Sequence, residues 1–282
     1  MCEINSGKQK RSFIPVKNNV VFKMFFADER NIDLLTDFLK SVLKIPEEEY
    51  DHLEIADPHL LPDYNDDKLT IVDVKLYTKN QNIIQIELQL QIVSSFRDRI
   101  MFYNSKLITE QLGVGDEYWN IKKVISIVIA GEPLFTENPD YHHQFILYDP
   151  FKKVQFSDIL EIHTLELTKL PVETDGTPLY DWVKFIKAET EEELNMAAIN
   201  NPQIKRATEI VHRLSADQLL RYRIDCIEKA QRDEASRLGD ALRKEEKKWQ
   251  GVIQDIKTEK DTVITEKDAI IAKLEAELAA RS

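Results

Sequence analysis

Apolar positions along this chain follow distinct rhythms, and each rhythm predicts a different element. From Leu69 to Tyr77 the run Leu-Thr-Ile-Val-Asp-Val-Lys-Leu-Tyr is rich in β-branched residues. From Ile83 to Gln91, Ile-Ile-Gln-Ile-Glu-Leu-Gln-Leu-Gln alternates apolar and polar almost without error. Period-two alternation marks a strand. Thr78 to Asn82 between the runs is turn chemistry, so the stretch predicts a hairpin. Its second strand puts Gln85, Glu87, Gln89 and Gln91 on one face and Ile84, Ile86, Leu88 and Leu90 on the other. A hairpin with one face in water accounts for Glu87, Gln89 and Gln91. It accounts less well for Asp73, set among Ile71, Val72 and Val74, because a buried carboxylate is costly unless something compensates it.

Helical spacing governs the segments on either side. Val20 to Phe25 predicts a short helix, and Ile32 to Leu43 a longer amphipathic one with Asn31 as N-cap and Pro46 as stop. Pro58, Pro62 and the polar run Asp63 to Lys68 read as irregular chain, with a short strand near His59 to Leu61. Phe96, Ile100, Tyr103, Leu107 and Ile108 predict a helix from Ser95 that ends before Gly113. Val124 to Ala130 is a nearly unbroken apolar run, the pattern of a strand buried on both faces. His143 to Tyr148 and Glu161 to Leu167 predict two more strands. The order of elements gives an α/β class with a central mixed sheet flanked by helices.

From Pro178 the chain reads as helical, with segments over 179–186, 191–199 and 203–214 and a further start at Ser215 to Gln218. Trp249, Ile256, Val263 and Ile270 then recur every seven residues, while Val252, Glu259, Glu266 and Lys273 make a mostly charged second seam. Half a heptad pattern fits either a self-associating coiled coil or one solvated helix, and Gly239 and Gly251 weaken it. The expected divisions are a tail over 1–18, a core over 19–176, a helical extension over 177–230 and a charged helix over 231–282.

Composition narrows the class. No apolar run approaches the roughly 20 residues that span a bilayer, and the basic N-terminus lacks the apolar segment of a secretory signal. Cys2 and Cys226 lie far apart and read as free thiols of a reducing compartment, so the cytoplasm is the expected location. A net charge of -12 argues against coating of nucleic acid by the whole surface. A nuclease with a metal ion and a local basic patch remains compatible with it. The histidines show no ligand spacing.

A hairpin that joins Asp73 to Glu87 sets two carboxylates against each other. A divalent cation relieves that repulsion, and hard oxygen ligands suit magnesium. The motifs then line up in order: Asn19-Val20-Val21-Phe22-Lys23-Met24-Phe25-Phe26, Asp57-Pro58-His59-Leu60-Leu61-Pro62, Val72-Asp73-Val74, Ile86-Glu87-Leu88-Gln89, Arg99 to Leu107, Val124 to Ile129 and Glu161 to Leu167. With this order and spacing, residues 15 to 230 resemble the PD-(D/E)XK nuclease superfamily, and within it the bacterial recombination-promoting nucleases and transposase-like proteins. The resemblance implies a restriction-endonuclease-like core, DNA as substrate, and magnesium or manganese as cofactor. It implies Asp73, Glu87 and the Leu88 carbonyl as metal ligands, with Gln89 standing where the signature has its lysine and orienting the water. Lys23, Arg97, Arg99, Lys106, Lys122 and Lys123 are the candidate phosphate contacts. Homo-oligomerisation through the C-terminal helices is expected. The alternative is a nuclease fold that no longer cuts and serves as a DNA-binding or assembly module, motivated by Gln89 and the acidic net charge.

Overall fold

The computed structural model describes residues 13–60, 70–199 and 201–279. Its strands are β1 (Glu54–Ala56), β2 (His59–Leu60), β3 (Thr70–Ile71), β4 (Val74–Tyr77), β5 (Ile83–Gln89), β6 (Val124–Ala130), β7 (His142–Asp149) and β8 (Val154–Glu166). Its helices are α1 (Asn19–Phe26), α2 (Ile32–Val42), α3 (Phe96–Thr109), α4 (Pro178–Lys187), α5 (Glu191–Ala198), α6 (Pro202–Ala216) and α7 (Gln218–Ala279). Six strands form one mixed sheet in the order β1-β4-β5-β6-β8-β7. β5, β6 and β8 run parallel in its centre, and antiparallel strands flank them. The restriction-endonuclease-like α/β architecture expected from the sequence is the one observed.

The expected hairpin has a break in it. The β-branched run does not stay in one strand: β3 pairs with β2 in a separate two-stranded sheet, whereas β4 pairs with β1 and β5. Val72 and Asp73 form the joint between them. A continuous apolar run carries no mark of where a strand changes partners, so the sequence reads it as one. The turn to β5 closes with a Gln81 N–H to Thr78 carbonyl bond, Gln81 taking φ 67°. The irregular chain expected over Asp63 to Lys68 lies outside the described residues.

One face of the sheet carries the main core. Ile84, Ile86 and Leu88 of β5 join Ile125, Ile127 and Ile129 of β6 beneath Phe22, Phe25 and Phe26 of α1, Phe38 of α2, and Trp182 and Phe185 of α4. Each such side chain contributes about 1.5–3 kcal/mol by leaving water. Trp182 satisfies its indole N–H by donating to Asp37 Oδ2 at 2.8 Å. The helices expected as an extension beyond residue 177 therefore help build the core. The end of the expected tail does too: Phe13 and Val16 are buried in it, and the Ile14 N–H donates to Ser215 Oγ. Three apolar residues among basic ones show no period, which hides this segment in the sequence. Every residue of β6 is buried, Ser126 included, as its nearly unbroken apolar run predicts.

The opposite face is covered by α3. Phe96, Ile100 and Leu107 pack down on Val124 and Val128. Gln85, expected on a wet face, is buried beneath this helix. Its amide donates to Asn104 Oδ1 at 3.2 Å and to Ser126 Oγ, and Ser126 donates to Asn104 Oδ1 at 2.6 Å. The polar side of β5 therefore faces protein at Gln85 and opens only towards its C-terminal end. The Asn31 side chain, expected to cap α2, instead donates to the Phe25 carbonyl. The helix start expected at Ser215 falls three residues later, with Asp217 Oδ1 accepting from the Leu219 and Leu220 amides.

The chain divides into two compact units, Met1–Leu220 and Arg221–Ser282. The described part of the second, 221–279, lies within α7, which runs unbroken through Gly239 and Gly251 and leaves Trp249, Ile256, Val263 and Ile270 exposed. Among the described residues no helix is long and apolar enough to cross a membrane.

Candidate active site

The break between β3 and β4 decides where Asp73 points. β4 pairs with β5 only as far as Val74 opposite Ile86. One step beyond, the Asp73 side chain takes over from its backbone: Oδ2 accepts the Leu88 N–H at 2.8 Å. Oδ1 lies 2.9 Å from Lys23 Nζ, which reaches in from α1. Glu87 is on the same side of the sheet. Asp73 and Glu87 side chains are 13% and 10% exposed, whereas Lys23 and Arg99 are 42% and 34% exposed. The acids form a floor, and the two cations form its rim.

Burial raises the Glu87 carboxyl to about 7, and the neighbouring Asp73 charge pushes the same way. Arg99, the Asp73 backbone N–H and Lys23 pull against that shift without cancelling it. Arg99 Nη2 lies 3.8 Å from Glu87 Oε1, and Glu87 Oε2 is buried with no hydrogen-bond partner among the described residues. Two crowded carboxylates and an orphaned buried oxygen are what a hard dication satisfies. Among the described residues no cluster of three or more His, Cys, Asp or Glu side chains could hold a metal. Asp73 and Glu87 could hold such an ion only together with backbone oxygen and water, which suits one that keeps part of its hydration shell.

Gln89 lies two residues along the same strand, but its amide is already engaged. Nε2 donates to the Gln91 carbonyl at 2.6 Å, and Oε1 accepts from Arg99 Nη2 at 2.5 Å. The guanidinium also lies over the rings of Phe96, at 5.0 Å, and Tyr103, at 5.9 Å. The sequence names both residues but not their contact, because they come from a strand and a helix on opposite sides of a loop. The β5 end itself is fixed by Gly131, whose N–H donates to the Gln89 carbonyl at 2.9 Å. A Cβ there would come within 2.5 Å of the Leu90 carbonyl oxygen.

The remaining cations scatter. Arg97 lies over the Phe135 ring. Lys106 is buried, only 7% exposed, with its ammonium near the Phe102 ring, so the expected phosphate contact is not available there. Helical spacing alone leaves its burial ambiguous. Lys122 and Lys123 precede β6, whose first residue pairs with Ile83. Four residues of strand, about 13 Å, separate that level from Glu87. Lys123 is paired with Glu161. That carboxylate also takes His163 Nε2 at 2.7 Å, and His163 Nδ1 lies 2.9 Å from His142 Nε2. This second polar chain was legible only as the i, i+2 spacing of Glu161 and His163 on one strand.

The mixed sheet carries one carboxylate near the end of a central strand and a second at the joint beside it, with Lys23 and Arg99 around them. Comparison with protein families matches residues 16–241 to the PD-(D/E)XK nuclease family transposases, and the chain belongs to that family. No curated protein and no solved structure matches it. Nucleases of this family generally use divalent metal ions, and the family implies DNA as substrate.

Proposed function

We propose that the protein is a metal-dependent DNA endonuclease that hydrolyses phosphodiester bonds in recombination or transposition, with magnesium, or manganese in its place, as the ion. The observation that supports this most is the Asp73–Glu87 pair, held together at low exposure with one Glu87 oxygen unsatisfied. The two carboxylates would hold the ion, and the Leu88 carbonyl would complete the protein's share. When bound, the ion supplies Lewis-acid stabilisation of the phosphate and an activated water. The chain's own residues do the rest. Asp73 is oriented by the Leu88 N–H. Lys23 and Arg99 line the approach of a phosphate. The Gln85–Asn104–Ser126 network locks α3, and with it Arg99, to β5.

The test is nicking of supercoiled plasmid by the purified full chain. Cutting is expected with magnesium and stops on chelation. Asp73→Asn and Glu87→Gln lose about 100-fold or more while circular dichroism stays unchanged. Cutting by Asp73→Asn at the wild-type rate overturns the assignment. A second reading, a non-cutting assembly module, draws on the exposed Trp249, Ile256, Val263 and Ile270 of the second unit. In it α7 joins copies of the chain.

A further inference from the structure

We infer that Gln89 is a positioning residue for Arg99, and that Arg99 supplies the positive charge that meets the phosphate in this site. The inference rests on the nuclease reading and assigns roles within it. Cleavage of a phosphodiester builds negative charge on non-bridging and leaving oxygens, and a fixed cation there is worth more than one that must reorganise. Gln89 carries no charge, and both ends of its amide are occupied. The carbonyl oxygen that could accept a proton from a water is the one that Arg99 takes. What it does hold is a cation. Arg99 Nη2 sits 2.5 Å beyond Gln89 Oε1. A lysine at position 89 would carry its ammonium one bond, about 1.5 Å, beyond the glutamine's terminal atoms. The guanidinium nitrogen thus lies close to where that ammonium would be, delivered from α3 instead of from β5.

Other contacts show that Arg99 is clamped. Phe96 and Tyr103 take its guanidinium on their ring faces, and its Nε is buried with no hydrogen-bond partner among the described residues. The 3.8 Å approach to Glu87 Oε1 is longer than a hydrogen bond. The group is therefore aimed at the acids without being consumed by either. Lys23 differs: it is directly paired to Asp73 Oδ1, an oxygen that a bound ion needs.

The full chain tests this with Gln89→Ala, Arg99→Met and the double variant Arg99→Met/Gln89→Lys. Arg99→Met is expected to lower kcat about 100-fold or more with KM changed far less. Gln89→Lys in that background is expected to restore cutting about tenfold, because it returns a cation to the same place by the other route. A purely structural Arg99 would gain nothing from a lysine at 89. A second readout needs no cutting. The Arg99 Nε–H, buried in the wild type, is expected to give a slowly exchanging 15N resonance that sharpens into the solvent-averaged envelope in Gln89→Ala. Wild-type-like cutting by Arg99→Met, failure of the double variant to recover, or an unmoved Nε–H resonance overturns the inference. Cutting that is lost in Asp73→Asn but intact in Arg99→Met leaves the nuclease reading standing and removes only this one.

Discussion

Glu87→Gln is expected to make the metal-free protein more stable while abolishing its cutting. In the fold this carboxyl titrates near 7, driven up first by burial and then by Asp73, against an ordinary value of 4.5. The unfolded chain ionises Glu87 from pH 4.5 upward, whereas the folded chain resists until about 7. Stability therefore falls as pH rises through that window and stays low above it. At about 1.4 kcal/mol per unit, the shift corresponds to a cost of about 3 kcal/mol at pH 8. An amide of the same shape carries no charge and avoids it, though it gives up the attraction of Arg99, so a gain of about 2 kcal/mol is expected. Urea unfolding in a chelator, followed by tryptophan fluorescence with buried Trp182 as the core signal, measures it at pH 8 and pH 5. The variant should be the more stable at pH 8 and level with wild type at pH 5. Millimolar magnesium should then stabilise wild type and leave the variant unmoved. A variant that is destabilised at pH 8, or that differs equally at both pH values, refutes the reasoning.

Three further outcomes follow from the geometry. Burial and its histidine neighbours lower the His142 ring to about 4, so the fold should lose stability as pH drops from 6.5 towards 4. The loss is roughly 1–2 kcal/mol after solvent screening, and His142→Gln should flatten that slope in urea titrations. Gly131→Ala should cost about 1–3 kcal/mol and depress cutting, because the new Cβ meets the Leu90 backbone and must push β5 away just beyond Gln89. Truncation at Gln231 should convert an oligomer to a monomer in light scattering while leaving the melting of the first unit unchanged; an unaltered mass would argue against assembly through α7.

Legibility in the sequence followed the strength of the local pattern. Val124 to Ala130 announced its double burial because six apolar residues broken only by Ser126 fit little else. The acids stood out because a lone Asp in a β-branched run and a Glu in a strict alternation are chemically conspicuous. Contacts between elements were not legible. Nothing local to Lys23 shows that α1 delivers it to Asp73, 50 residues away in sequence, and nothing local to Gln89 shows that its amide is spent on Arg99. The Gln-Glu-Gln face of β5 looked wet because alternation reports polarity and not what covers it; the helix over Gln85 is a tertiary fact. The split at Asp73 escaped for a related reason, since hydrogen-bond partners leave no trace in a continuous β-branched run.

The Leu88 N–H bond gives Asp73 a second occupation as a clasp. It pins the register of β5 at the point where β4 turns away, so an oxygen at position 73 is worth keeping even in a chain that has stopped cutting. Glu87 takes the Asp73 backbone N–H in return, but by its ionisation it weakens the fold that carries it. Among descendants of this protein, idle ones should shed the glutamate early and hold on to the aspartate, which makes position 87 the better witness to whether a given copy still works.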